Sequence, residues 1–292
     1  MYSGTMVALI TPFKTDGIDT TCLQKMVAFH LDEGVDALVP CGTTGEASVL
    51  SEAEFCQVIA TVVEATAGKV PVIAGCGTNC TAKTIERGLL AKREGAHALL
   101  VVTPYYNRPN QEGMKRHYWE VASKVDLPII VYNVPSRTGS DLLPETVFQL
   151  ADHAQIVGIK EATASMKRAC ELINGSLADF AILSGDDFTA MTLVMAGGHG
   201  VISVIANVTP SLMSAMIQAA LDGTLEKARE INKRLYPLME ALFCDTNPIP
   251  VKMALKYLGL GDGRPRLPLV PLPPERSQLV YQCMKQLNLV EQ

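Results

Sequence analysis

Lys160 closes the apolar run Ile156-Val157-Gly158-Ile159-Lys160, where strand alternation puts Ile156, Gly158 and Lys160 on one face. Gly158 then leaves space beneath the lysine, and the amine is expected in a desolvated interior. Burial disfavours the ammonium and lowers its pKa, and a neutral amine near pH 7 is what Schiff-base formation with a carbonyl requires. The local pattern fits equally well a lysine at a rim, paired to Glu161 or Asp186.

Three further groups could serve such an amine. Tyr132 shares its face with Ile130 and would point inward beside Lys160, where a phenol that both donates and accepts can shuttle protons. Taken alone, it reads as readily as a core tyrosine bonded to backbone. Gly42-Thr43-Thr44-Gly45 offers two glycines that let backbone approach a ligand, two hydroxyls and free amides, which suits a small carboxylate; an ordinary turn would look the same. Arg137 follows Pro135 in a loop that cannot bury an unpaired cation, so it is either solvated or holds an anion in its planar fork.

The elements that must position these groups follow from apolar patterning. Residues 6–10, 37–39, 71–74, 98–102, 128–132, 156–160, 181–184 and 201–205 are short, rich in Val and Ile and without strict polar alternation, as strands buried on both faces of a parallel sheet are. Helical stretches separate them. Ser51-Glu52-Ala53-Glu54 is a capping box opening a run to Ala67, and Pro144 suits a first helical turn. Eight strand signals each followed by a helix signal predict an α/β fold of the (β/α)8 TIM-barrel type rather than a doubly wound sheet. Residues 1–206 are expected to form the barrel core through strand 8. Residues 207–292, which include the helical stretches 225–242 and 251–258, are expected to form the last barrel helix and a C-terminal helical extension packed on the barrel.

In a barrel the chemistry sits where strands end. The polar residues there are Thr11, residues 42–46, Thr103-Pro104-Tyr105-Tyr106-Asn107, Tyr132-Asn133 with Arg137, Lys160-Glu161, Ser184-Gly185-Asp186-Asp187, and Ser203.

Composition narrows the function classes. A net charge of -5 argues against a nucleic-acid footprint. No window reaches the roughly 18 apolar residues of a membrane span, and the start lacks a signal-peptide pattern, so a cytoplasmic protein is expected. Cys22, Cys41, Cys56, Cys76, Cys80, Cys170, Cys244 and Cys283 form no Cys-x-x-Cys pair and read as reduced thiols; the five histidines are dispersed, so no metal site is expected. A phosphate-binding loop is missing too: Gly259-x-Gly261-x-Gly263 falls late, after a helix.

Jointly, the motifs are specific. Gly42-Thr43-Thr44-Gly45-Glu46, Thr103-Pro104-Tyr105-Tyr106-Asn107-Arg108-Pro109, Tyr132-Asn133-Val134-Pro135-Ser136-Arg137-Thr138-Gly139, Ile156-Val157-Gly158-Ile159-Lys160-Glu161-Ala162, Ser184-Gly185-Asp186-Asp187, Gly197-Gly198-His199-Gly200-Val201-Ile202-Ser203 and Asn247-Pro248-Ile249-Pro250-Val251-Lys252 occur in order. Together they resemble the dihydrodipicolinate synthase family of pyruvate-dependent class I aldolases, from residue 4 to about residue 270. The resemblance implies condensation of pyruvate with aspartate-semialdehyde, in the diaminopimelate and lysine pathway. Lys160 would form the imine, with Tyr132, Thr43 and Tyr106 as proton relay and Tyr105 reaching across a dimer interface. Thr44 would hold the pyruvate carboxylate, Arg137 that of the semialdehyde, and the Gly185 and Ile202 backbone would line the pocket. No cofactor or metal is implied beyond the lysine imine, and the implied assembly is a homotetramer, a dimer of tight dimers.

The resemblance also bears on regulation. Many bacterial relatives bind inhibitory lysine at the tight-dimer interface, near positions matching Tyr105, Asn79 and residues 47–55. Where lysine-sensitive members present a glutamate and histidines to the ligand's ammonium groups, this chain has Lys83, Glu52 and Phe55. Weak or absent feedback by lysine is expected, with Glu52 as a possible substitute carboxylate. Two other readings compete: N-acetylneuraminate lyase and related pyruvate aldolases, which have less use for a cation at Arg137, and a catalytically dead barrel that only binds.

Overall fold

The apolar runs become strands because their Val-, Ile- and Leu-rich backbones can be covered on both faces. They are β1 (Gly4–Ala8), β2 (Ala37–Val39), β3 (Ile73–Gly75), β4 (Ala98–Val102), β5 (Ile129–Asn133), β6 (Ile156–Glu161), β7 (Ala181–Ser184) and β8 (Gly200–Ser203). The computed structural model describes residues 1–175 and 178–291. The strands pair in parallel in the order β2-β1-β8-β7-β6-β5-β4-β3. The ring closes where Leu38 bridges Val72 and the Gly75 amide donates to the Pro40 carbonyl at 2.9 Å. This is the expected (β/α)8 barrel.

Side chains of alternate parity build two layers of core. Met6, Ala8, Val39, Ile73, Leu100, Ile130 and Leu183 fill the barrel, whereas Val7, Leu38, Val101, Val131 and Ile159 face the helices. The helices are α1 (Thr20–Asp32), α2 (Glu52–Thr66), α3 (Thr81–Arg93), α4 (Gln111–Val125), α5 (Pro135–Thr138), α6 (Pro144–Leu150), α7 (Met166–Gly175), α8 (Ala190–Met195) and α9 (Pro210–Leu221). Ser51 and Glu54 make the anticipated capping box, with side-chain-to-amide bonds of 3.3 and 3.0 Å, and Pro144 opens α6. Beyond the barrel, α10 (Leu225–Leu242), α11 (Ile249–Tyr257) and α12 (Pro274–Gln286) pack on one another. Among the described residues no helix is long and apolar enough to cross a membrane.

Three local features depart from the alternation read along the chain. The register between β5 and β6 runs from Ile129–Ile156 to Ile130–Gly158, so Val157 is an extra, bulged residue. Ile156 therefore joins the outer core while Val157 packs against the inner one, and the shared face of Ile156, Gly158 and Lys160 is broken. Gly158 serves a different neighbour from the one inferred: a Cβ there would lie 2.6 Å from the Ala181 carbonyl oxygen, so it permits the close approach of β7. Strand β8 stops at Ser203, because side chains then take over its amides. Asp187 Oδ2 accepts from Val204 and Ile205, and Ser203 Oγ from Ala206, turning the chain into a 3-10 turn at Ile205–Asn207. A two-residue-per-strand hairpin, Phe13–Lys14 with Gly17–Ile18, was too short for periodicity to reveal.

Candidate active site

Past the bulge, the register pairs Tyr132 of β5 with Lys160 of β6, and both side chains turn into the barrel mouth. Lys160 is only 6% exposed and makes no salt bridge among the described residues. The two rim carboxylates suggested by the sequence, Glu161 and Asp186, are occupied elsewhere. Glu161 accepts from the Asn133 amide group at 3.1 Å and the Thr163 backbone at 2.7 Å; Asp186 accepts from the Thr189 amide and hydroxyl at 2.9 and 2.7 Å. Burial pulls the Lys160 pKa down to about 8; the Asp187 carboxylate opposes that shift and the Arg137 cation adds to it. The lysine stem has room because residue 185 is glycine: a Cβ there would lie 2.9 Å from Lys160 Cε.

The Tyr132 ring centre lies 4.5 Å from Lys160 Nζ. Burial raises the phenol's pKa, while a hydrogen bond with Thr43 and the charge of Arg137 lower it. Thr43 and Thr44 sit in the loop after β2, where Gly45 is required by crowding: a Cβ would meet the Cys41 nitrogen at 2.9 Å and the Leu9 carbonyl oxygen at 3.1 Å. Thr11 at the end of β1 donates to the Gly45 carbonyl at 2.7 Å. Arg137 lies in the short helix α5 rather than in open loop; it is exposed, donates to the Asn247 carbonyl at 3.4 Å and has no carboxylate partner among the described residues.

These groups enclose a cavity of about 220 Å³ whose wall includes Lys160, Tyr132, Thr43, Thr44, Arg137 and Gly185. A neighbouring cavity of about 290 Å³ shares Thr43, Tyr132 and Arg137 and extends to Tyr105 and Arg87. Ile202 lies in the inner core, two residues before Val204, which does line the lysine cavity. Tyr106 stands apart: it is 90% exposed, with a left-handed φ of 74°, and lines neither cavity of its own chain. A third cavity, about 340 Å³, brings together Glu52, Phe55, Asn79, Lys83 and Tyr105, with Arg87 stacked on the Phe55 ring. Among the described residues no group of three or more His, Cys, Asp or Glu could hold a metal ion.

Two wall residues, and one buried residue whose charge acts on Lys160, are given no role by alternation or strand-end position. Phe243 and Asn247 come from the extension, and Asn247 donates to Thr44 Oγ1 at 3.0 Å. Asp187 is buried at the end of β7, its pKa raised to about 6 mainly by burial against the pull of Ser203 and two backbone amides. The Ser184-Gly185-Asp186-Asp187 motif contained it, but only the turn after β8 shows what it bonds.

A buried amine of lowered pKa at the mouth of a (β/α)8 barrel, flanked by a phenol, a hydroxyl loop and a free guanidinium, is the equipment of a lysine-imine lyase. The chain belongs to the dihydrodipicolinate synthetase family, whose model matches residues 1–287. It is 49% identical over 291 residues to a 4-hydroxy-tetrahydrodipicolinate synthase of Archaeoglobus fulgidus, covering 99% of this chain and 100% of that one. Among solved structures, the Acinetobacter baumannii dihydrodipicolinate synthase complexed with pyruvate superposes with a TM-score of 0.97 at 43% identity, covering 99% of this chain and 100% of that one. The Cyanidioschyzon merolae enzyme with lysine bound gives a TM-score of 0.96 at 36% identity, with 99% of each chain covered.

Proposed function

We propose that this chain condenses pyruvate with L-aspartate-4-semialdehyde to 4-hydroxy-tetrahydrodipicolinate, through an imine on Lys160. The observation that carries this reading is the buried Lys160 amine facing Tyr132, with no salt-bridge partner among the described residues. The neutral amine attacks the C2 ketone of pyruvate, and loss of water gives the imine. The imine nitrogen withdraws electrons as a proton leaves C3, and the enamine carbon adds to the aldehyde carbon. The semialdehyde's own amine then attacks C2 and displaces the Lys160 amine as the ring closes. The lysine imine is the electron sink, so these steps call for no metal or cofactor.

Tyr132, hydrogen-bonded to Thr43, is placed to move the protons of imine formation and release. Thr44 and the loop amides would receive the pyruvate carboxylate, and Arg137 that of the semialdehyde, with the Gly185 and Ile202 backbone as pocket wall. Tyr106 completes the relay only if it enters the site of a second copy, which its exposure supports; the assembly we propose is a homotetramer of tight dimers. Tyr105, which lines its own chain's cavities, then sits close to that interface. A cytoplasmic location goes with a biosynthetic role in the diaminopimelate and lysine pathway. The cavity of Glu52, Phe55, Asn79, Lys83 and Tyr105 would be the place for a lysine effector, bound weakly because Lys83 and Arg87 set two cations against the carboxylates of Glu52 and Glu86.

Purified protein supplied with pyruvate and aspartate-semialdehyde, coupled to reduction of the product, tests the proposal. Turnover that needs both substrates is expected; pyruvate consumption without the semialdehyde, or none with it, contradicts it.

A further inference from the structure

The loop of residues 42–46 is held from two sides. From the barrel, Thr11 donates to the Gly45 carbonyl. From the extension come three more ties. Asn247 Nδ2 donates to Thr44 Oγ1 at 3.0 Å, Lys252 Nζ pairs with Glu46 Oε1, and the Arg266 backbone amide donates to Glu46 Oε2 at 2.9 Å. The Lys252 and Glu46 side chains are 3% and 2% exposed, so this is an ion pair removed from water. Lys252 Nζ and Arg266 Cζ lie 4.0 and 4.1 Å from the centre of the same Phe13 ring, and the Arg266 guanidinium reaches on to the Glu54 carboxylate in the first turn of α2.

Stability alone is a poor reason for such a pair. Taking both charges out of water cancels most of their attraction, and apolar side chains of the same size commonly do as well or better. What an apolar pair would lack is direction. Glu46 sits at a left-handed φ of 53°, which costs a residue with a side chain, and it directly follows Thr43, Thr44 and Gly45. Its carboxylate, one residue beyond Gly45 and two beyond Thr44, is fixed by two donors from the extension.

We infer that Asn247, Lys252 and Glu46 are positioning residues, through which the C-terminal extension orients the threonine loop and so sets the affinity of the site for pyruvate. This rests on the reading of Thr44 as the carboxylate holder. The inference gives the extension a part in substrate binding beyond covering the barrel.

The test is the pyruvate concentration giving half-maximal borohydride trapping on Lys160, together with KM for each substrate and the melting temperature. The double variant Glu46→Gln/Lys252→Met removes both charges, so neither is stranded. A rise of about tenfold in half-trapping pyruvate and in its KM is expected, with KM for the semialdehyde within about twofold and little change in melting temperature. A folded double variant with unchanged pyruvate dependence overturns the inference. Should the double variant not fold, Asn247→Ala, which deletes the Thr44 tie and leaves both charges paired, is read the same way: raised pyruvate dependence with KM for the semialdehyde within about twofold supports the inference and unchanged dependence overturns it. Absence of trapping in the wild-type protein would instead remove the underlying reading of the site, and this inference with it.

Discussion

Tyr132 and Lys160 are register partners on adjacent strands, and the ammonium position of one lies 4.5 Å from the ring centre of the other. That pairing ties the proposed nucleophile and proton carrier to one rigid ladder, and the titration of Lys160 should govern the proposed imine formation. With the Lys160 pKa lowered to about 8, the amine is mostly protonated at pH 6.5 and mostly neutral at pH 9, so the rate of imine formation should rise through pH 8 and level off. Asp187 carries a charge that raises the Lys160 pKa, and Asp187→Asn keeps an oxygen for the Val204 and Ile205 amides while removing that charge. The midpoint in Asp187→Asn should therefore move to lower pH. Stopped-flow trapping across pH 6 to 10 checks both; a shift to higher pH would contradict the electrostatic account.

Among the described residues the exposed Arg137 guanidinium makes only a weak bond, to the Asn247 carbonyl, which leaves most of its donors for an anion. A bidentate carboxylate contact contributes on the order of 2–3 kcal/mol. Arg137→Ala should raise KM for aspartate-semialdehyde by roughly 30-fold or more, and KM for pyruvate far less. Equal effects on the two constants would make Arg137 a structural residue.

Much of the barrel was legible because its strands are buried on both faces and its helices begin with strong local chemistry, as at Ser51 and Pro144. The helical stretch at Leu225–Leu242 matched for the same reason: an apolar stripe at helical spacing is a local property. Lys160 and Tyr132 could be placed by counting alternation back from strand ends. The count held near the mouth and failed below it, where the bulge at Val157 reverses the faces and gives Gly158 another purpose. Asn247, Phe243 and Asp187 could not be assigned roles in this way, since their partners are set by tertiary packing; Asn247 and Thr44 meet across 203 positions of sequence. Tyr106 was illegible for another reason, because one chain does not show what an exposed tyrosine touches.

The proposed effector site for lysine is the cavity that Lys83 shares with Glu52, Phe55, Asn79 and Tyr105. A cationic ligand there meets Lys83 and Arg87 as well as Glu52 and Glu86, and like charges in a partly enclosed site cost binding energy unless a carboxylate lies nearer. Initial rates at fixed substrates should stay unchanged up to tens of millimolar L-lysine. Half-inhibition below 1 mM would show that Glu52 dominates the site.

His30 is fully buried, and neither ring nitrogen has a partner among the described residues; burial pulls its pKa down to about 3. The folded value lies below the unfolded one, so the unfolded chain takes up the proton first as pH falls. The stability is complete above about pH 6.5 and is lost progressively from there towards pH 3, by about 2 kcal/mol at pH 5. His30→Leu removes that titration and two unsatisfied polar atoms. Urea melts at pH 7.5 and pH 5 should show the variant losing less stability than wild type between them; equal losses would mean that His30 finds a partner or water.

The central claim is that the Lys160 amine forms the imine. Reduction with borohydride in the presence of pyruvate, followed by peptide mass analysis, reads this directly. One pyruvyl addition, reduced, on the peptide carrying Lys160 is predicted, with none in Lys160→Arg. An unmodified Lys160 peptide with the label on another lysine would contradict the account.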